Sequence, residues 1–459
     1  MTIVMARQEI DGASKQPTDK ARVALASAFL IGAAIAAQPA SAQINPAQQT
    51  VRPMASNSDD GPVRSGARVP GVAGFNGRGL AVTASVSNRY ETNFSRLPAI
   101  DDAVRFLPQV SASYGLGSKR LGLFVDGSYG RDIVLGNQLI KGGDRSSLSG
   151  GLDFVLSRCS GQLGGSFRKS LNLRTDAGLF GGFQQQTETL GTAANCQIGN
   201  ALSVNGAISK SKDKNVAGAS FALNTDRLDY SAGLGFNASG LGQFSLGGAI
   251  SDVHFPGRFV VSPNGIVEDS FKQRSLRVGV SRAFGNRITA TLGASAIDNK
   301  PGTESTVIIV DGLPQIVDRA GFSGIGYDGA LAVTLSSRLA FEVSADRTVN
   351  SNPFVGALLT ISNTYAASAN AKLGQYTVTA GGLFSRNRYQ GGFVSQFDPA
   401  ARRSDRFESY FINVGGKIGQ RLRASVEVNH VKRISNPDLF SFTSTGAGLN
   451  LSVAFGRGS

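Results

Sequence analysis

Apolar and small or polar residues alternate one by one along most of this chain. Leu80, Val82, Ala84 and Val86 fall on one side of an extended backbone, with Ala81, Thr83, Ser85 and Ser87 on the other. Leu148, Leu152, Phe154 and Leu156 oppose Ser149, Asp153 and Ser157. The same holds for Leu228, Tyr230, Ala232, Leu234 and Phe236 against Asp229, Ser231 and Asn237, and for Leu422, Ala424, Val426 and Val428 against Arg423, Ser425, Glu427 and Asn429. A period of two is the signature of a β-strand. The polar side stays small and weakly charged in segment after segment, while the apolar side continues in all of them. That pattern predicts apolar residues toward lipid and polar residues toward a lumen, rather than a soluble sandwich.

Short turns rich in Gly, Ser and Asn recur about every 40 residues: GSKR at 117–120, SRCS at 157–160, GNAL at 199–202, GLGQ at 240–243, GNRI at 285–288, SSRL at 336–339, GQY at 374–376 and GQRL at 419–422. Between successive tight turns lies one longer, more polar stretch. Eight turns join sixteen strands, and one further strand at each end brings the count to eighteen. The count is sixteen if the first strand and the weaker 160–200 region are set aside. The expected fold is all-β: a transmembrane, antiparallel, up-and-down β-barrel with short periplasmic turns and long extracellular loops, both termini on the periplasmic side. Two of the outer loops hold secondary hairpins, Thr306–Val310 with Leu313–Val317 around Asp311-Gly312, and Phe259–Val261 with Ile266–Glu268. Their arms are too short to cross a membrane, and they read as extensions of barrel strands. The sharper alternative is that one of them folds inward and narrows a pore.

The N-terminus reads as an export signal. Lys20 and Arg22 precede an apolar run from Val23 to Ala37, Pro39 breaks it, and Ala40-Ser41-Ala42 supplies small residues for cleavage before Gln43. Residues 43–75, rich in Pro, Gln, Ser and Gly and without periodicity, are expected to be a disordered periplasmic lead-in too short for a plug domain. The barrel is expected to occupy 76–459. No apolar run of helical-span length occurs beyond the N-terminus, and 58 glycines weigh against long helices.

Without residues 1–42 the chain carries 42 basic against 29 acidic residues. Nucleic-acid binding is a poor reading of this excess, because the cations do not gather on one element of an exported chain. They collect instead toward the predicted outer ends and loops, among them Arg89, Arg105, Arg145, Arg168, Lys210, Lys212, Lys214, Lys272 and Arg274, with a rim cluster of Arg386, Arg388, Arg402, Arg403, Arg406, Lys432 and Arg433. Two uses follow: contact with lipopolysaccharide phosphates, and a positive vestibule for anionic solutes. Catalysis is not expected. Asp252 and His254 share a strand face, but no partner nucleophile accompanies them. No metal site or cofactor is expected either. Cys159 and Cys196 begin and end one strand–loop–strand unit. A loop closing near Arg174 and Gly181 sets 159 opposite 196, which predicts a cross-strand disulfide near the periplasmic rim, with two unpaired thiols as the alternative if the register slips.

Leu449, Leu451, Val453 and Phe455 alternate to an aromatic near the end of the sequence. This resembles the terminal strand that the barrel-assembly machinery of Gram-negative outer membranes recognises, although four residues follow the aromatic here. With the Gly-rich alternating strands, it makes residues 76–459 similar to the outer-membrane proteins of the β-barrel porin 2 type. That resemblance implies an outer-membrane location and a pore for small hydrophilic or anionic solutes, or a conduit for secreted polysaccharide, since some similar barrels accompany exopolysaccharide synthesis. The alternative is a non-conducting structural or adhesive barrel whose basic loops bind lipopolysaccharide or exopolysaccharide.

Overall fold

Strands dominate the computed structural model, which describes residues 79–456 apart from several connecting segments, together with Val69 and Val72. Twenty strands follow one another: β1 (Gly79–Glu91), β2 (Ala103–Gly117), β3 (Leu121–Leu135), β4 (Gly143–Leu156), β5 (Cys159–Asn172), β6 (Phe183–Ile198), β7 (Leu202–Asn215), β8 (Thr225–Ala238), β9 (Gly242–Ser262), β10 (Gly265–Phe284), β11 (Ile288–Pro301), β12 (Ser305–Val310), β13 (Leu313–Asp318), β14 (Phe322–Ser336), β15 (Leu339–Ser351), β16 (Leu359–Leu373), β17 (Tyr376–Gln390), β18 (Ser404–Ile418), β19 (Leu422–Ser435) and β20 (Phe442–Gly456). Eighteen of them form one antiparallel sheet in which each strand pairs with its neighbours in sequence. The sheet closes on itself through β1 and β20, from Ala81 opposite Gly456 to Glu91 opposite Gly446. Closure removes both sheet edges, which is the condition for crossing lipid with strands. The expected count of eighteen is borne out.

The eight tight turns lie at one end of the barrel. Five of them carry a glycine at positive φ, from 62° at Gly285 to 82° at Gly240, a left-handed backbone that a residue with a Cβ adopts only under strain. The other end carries the longer connections, and short turns mark the periplasmic side of an outer-membrane barrel.

The two faces differ as the alternation predicts. Large apolar side chains on one parity stand exposed: Leu163 at 54%, Leu190 at 65%, Leu292 at 63%, Ile325 at 67%. On a closed sheet the convex side splays its side chains apart, so this parity is the outer wall. The belt ends abruptly toward the outer rim. On β7 Leu202, Val204 and Ile208 give way to Lys210, Lys212 and Lys214, and on β10 Val280, Val278 and Leu276 give way to Arg274 and Lys272. From β7 to β10 one cross-strand row runs Lys210, Leu228, Asp252, Lys272, so on this side the apolar belt gives way to charge at one level, where lipid tails yield to headgroups. Leu292→Lys should cost about 2–4 kcal/mol, because a midplane charge on the lipid face meets only hydrocarbon. Thr291→Lys, one residue away toward the lumen, should cost under about 1 kcal/mol. Guanidinium unfolding of the refolded barrel in lipid measures both, and equal costs would reverse this assignment of inside and outside.

One expectation is corrected. The hairpin of β12 and β13 is not an extension of barrel strands but a separate two-stranded sheet; β11 pairs directly with β14. The β9–β10 hairpin is a true extension, continuing past a bulge between Glu268 and Asp269. Of the expected lead-in over 43–75 the structure describes Val69 and Val72. Val69 and Val72 are buried, at 2% and 7% exposure, in one cluster with Phe124, Ala193 and Ala207. An amide that finds a buried acceptor and apolar side chains that find a wall outweigh the entropy of a free chain there. The rest of the lead-in and the predicted export signal lie outside the described residues.

Candidate functional site

The lumen face of the outer half is built around three buried carboxylates, each held between two arginines. Asp132 on β3 sits between Arg105 of β2 and Arg145 of β4, whose Nε atoms donate to its two oxygens at 2.6 and 2.8 Å. Asp269 on β10 pairs with Arg258 at 2.6 Å and with Arg319 at 2.8 Å. Asp405 on β18 pairs with Arg403 at 2.9 Å and Arg433 of β19 at 2.6 Å, and it also accepts from Tyr389 Oη at 2.9 Å and Ser435 Oγ at 2.6 Å.

Strand register explains the first and third groups. Arg105 faces Val134 and Arg145 faces Gly130, so each guanidinium reaches one step diagonally to Asp132 between them. Asp405 faces Ser435, and Arg433 lies two residues back on the same face. Phe440, in a short 3-10 turn at Asp438–Phe440, covers this group, with its ring 3.7 Å from the Arg403 guanidinium carbon and 5.8 Å from that of Arg433. In the second group Arg258 lies 3.6 Å over the ring of Phe255, and Phe255 packs with Val253 and Phe271. Burial pulls the Arg258 guanidinium down to about 10, with Asp269 opposing the shift. Each group thus brings two guanidiniums to one carboxylate. Arg168 of β5 adds a further cation to the same side, close enough to Arg145 to act on it electrostatically.

Deeper in the lumen the wall is not the uniformly small and neutral surface that the strand pattern suggested. Arg277 of β10 crosses β11 to reach Asp328 of β14 with two bonds, at 2.8 and 2.6 Å. It passes over Gly293, where a Cβ would stand 2.5 Å from Arg277 Nη2 and from Asp328 Oδ1. Asp346 pairs in register with Asp328. The β7–β15 side also carries Asp213 and Asp229, with Arg227 bound to Asp229 at 2.7 Å. On the β18–β5 side of the outer mouth the described lumen-parity charges include Arg89, Arg105, Arg145, Arg168, Arg403 and Arg433 against Glu91, Asp132, Asp405 and Glu427, with Arg89 shared between Glu91 and Glu427 at 3.5 and 3.8 Å.

Strands also lean across that mouth. Pairing of β14 with β15 stops at Tyr327 and Arg347. Beyond it, β15 and β16 continue together, and Val349, Leu359 and Ile361 pack on Ile297 and Phe322. Gln273 Nε2 of β10 donates to Val349 O at 3.4 Å, three strands away. A contact of that span is a chord across the inside of the wall. The β12–β13 hairpin is tied to the same region, by Thr306 Oγ1 to Val261 O at 3.1 Å and by Arg319 to Asp269.

The rim cluster read from the sequence divides by parity. Arg403 and Arg433 enter the Asp405 group. Arg386, Arg388, Arg406 and Lys432 lie on the outer-wall parity, with Arg406 ion-paired to Glu408 at 2.6 Å. Arg402 lies outside the described residues. Lys210, Lys212, Lys214, Lys272 and Arg274 also face outward, with Lys214–Glu188 at 3.0 Å, Lys212–Asp226 at 3.2 Å and Lys272–Asp252 at 3.2 Å. Asp252 and His254 are on that same outer wall. No group of three potential metal ligands occurs among the described residues. Leu449, Leu451, Val453 and Phe455 lie on β20, opposite Asn88, Val86, Ala84 and Val82 in the closing pair. Sequence reasoning passed over Asp132, Asp269, Asp405 and Arg319. Their signal was present as charges of one parity on neighbouring strands, but only register says which of them meet.

Cys159 and Cys196 are disulfide-bonded directly opposite each other on β5 and β6, 4.0 Å apart at Cα, on the outer-wall parity beside a tight turn. The bond closes a separation of 37 residues. Its chain-entropy effect is about 2–4 kcal/mol. Cys159→Ser with Cys196→Ser should lower the guanidinium midpoint accordingly without altering the folded circular dichroism spectrum. An unchanged midpoint would show that the strand pair needs no covalent tie.

A closed eighteen-stranded barrel with an outward apolar belt and a charged lumen defines an outer-membrane β-barrel protein, located in the outer membrane of a Gram-negative bacterium. Neither the family models nor the curated proteins contain a match to the chain. Among solved structures it is similar to Pseudomonas aeruginosa OccK2 (OpdF), solved in complex with glucuronate, at 9% identity and a TM-score of 0.47 over 83% of this chain and 99% of that one. It is similar to the outer membrane protein OpdK of the same organism at 11% identity and 0.44, over 82% and 98% of the two chains. The alcaligin receptor FauA of Bordetella pertussis is similar at 13% identity and 0.42, over 81% and 76%.

Proposed function

We propose that this barrel is a passive channel for small anionic solutes, entered from the outer side. The observation that carries the reading is the clustering of arginines on the lumen parity of the outer mouth, two of them on each of Asp132, Asp269 and Asp405. A shared carboxylate holds two guanidiniums in place at the mouth, where fixed arginines favour anions over cations. The assignment to the β-barrel porin 2 type rests on the alternating strands and the terminal aromatic strand.

The outward cations at the upper edge of the belt, Lys210, Lys212, Lys214, Lys272 and Arg274, suit lipopolysaccharide phosphates, and β20 suits recognition by the barrel-assembly machinery. Neither requires the lumen.

Planar-bilayer recording of the refolded chain under a KCl gradient tests the proposal. Discrete conductance steps with a reversal potential on the chloride side are expected. Cation preference would refute the anion reading. Steps absent at every voltage would leave a closed barrel, and steps blocked by long polysaccharide but not by small anions would favour a conduit.

A further inference from the structure

The lumen holds a docking cradle for part of the chain's own lead-in. Val72 N–H donates to Val69 O at 3.2 Å. The two valines are seated on the lumen parity of β3, β5, β6 and β7. Val69 N–H donates to Gln162 Oε1 at 2.8 Å, and Gln162 is 1% exposed. Phe124 and Ala193 are 3% and 1% exposed beneath the two valines.

The wall makes room for them. A Cβ at Gly164 would stand 2.8 Å from Val72 Cγ1, and one at Gly191 would stand 2.8 Å from Val69 Cγ1. An inward aromatic, a buried amide acceptor and two glycines in facing positions form a fitted receptor on a wall whose neighbours are Ser, Thr and Asn. The outer-wall parity of the same strands carries Leu123, Val125, Leu163 and Leu190, all exposed, so the two valines lie inside the barrel.

Its depth follows from the strands. Gln162 and Gly164 are three and five residues in from Cys159 beside the tight turn, which is roughly 10–15 Å above the periplasmic rim. The outer mouth narrows through β15–β16 and the β12–β13 hairpin, so this is a second, separate narrowing at the opposite end.

We infer that Val69 and Val72 are intrachain occupants of the lumen that narrow the channel near its periplasmic end, and that freeing them raises conductance. The inference rests on the channel reading for its consequence, but not for the docking itself. Docking is tested by paired cysteines, Val72→Cys with Gly164→Cys, in the full chain carrying Cys159→Ser and Cys196→Ser. The pair should oxidise to a cross-link, seen as a mobility shift of the denatured chain. Val72→Cys with Thr443→Cys should not, because Thr443 lies on the outer wall at the opposite rim, beside Lys432. Absence of the Val72–Gly164 cross-link in a folded barrel would overturn the docking.

Narrowing is tested by Val69→Asp with Val72→Asp, which removes the apolar fit and leaves every wall residue intact. Unit conductance should rise by about 1.5-fold or more, and the oxidised cross-link should hold it at the wild-type level. Equal conductance in all three proteins would overturn the narrowing. A cross-link that forms in a barrel that never conducts would overturn the channel reading and its consequence while leaving the docking in place.

Discussion

Asp405→Ala should destabilise the barrel by about 3 kcal/mol. The carboxylate is 1% exposed, and the two arginines on it are only 12% and 8% exposed at their side chains. Without it, Arg403 and Arg433 lose this carboxylate under Phe440, and Tyr389 and Ser435 lose this acceptor. Breaking a buried ion pair by deleting one partner costs about 3–5 kcal/mol, and residual water in the lumen moves the expectation to the lower end. Glu408→Ala is the control. Its partner Arg406 is 57% exposed on the outer wall, and an exposed pair contributes under about 1 kcal/mol. The measurement is the guanidinium midpoint of both variants in the same lipid. Similar shifts would mean that the Asp405 group is as wet as the outer surface and does not organise the mouth.

Arg105→Gln with Arg168→Gln and Arg433→Gln should remove most of the anion preference. Each carboxylate keeps one arginine in this variant, Arg145 for Asp132 and Arg403 for Asp405, so the wall is expected to fold. At about 7 Å from a solute in water-like surroundings, one unit charge contributes roughly 0.6 kcal/mol, about halved by screening at 0.1 M salt. Three charges then amount to about 0.9 kcal/mol, or roughly a four- to fivefold fall in chloride entry, with potassium entry moving the other way. The reversal potential under a KCl gradient reads this directly, and the effect should fade at 1 M salt, where the Debye length falls to about 3 Å. A potential unmoved at low salt would remove these arginines from the mechanism. Reversal of Arg406, by contrast, should leave selectivity alone, because that side chain lies on the lipid-side wall.

Much of the fold was legible without coordinates. Leu80 to Val86, Leu228 to Phe236 and Leu422 to Val428 each declare their strand and its two faces by alternation alone, and the turn glycines at 199, 240, 285, 374 and 419 declare one end of the barrel. The 159–196 pairing was legible too, since two strands joined by one loop share a register that a single pair sets. The candidate site was legible only as an unsorted collection of cations. Arg403 and Arg406 are three residues apart and were read together, yet one serves the lumen and the other the outer wall. Asp132, weakly informative in sequence, organises two arginines from the strands on either side of it.

What the sequence determined by itself is therefore what backbone periodicity and turn chemistry determine locally: strands, their parity, their number and the direction in which the barrel points. Only the tertiary structure decided which charges share a carboxylate, which strands lean inward, and that Val69 meets Gln162 across a separation of 93 residues. Those contacts depend on closure through β1 and β20 and on diagonal reach between strands. Closure turns a flat alternation into an inside and an outside, and only then do distant residues of one parity face the same enclosed water.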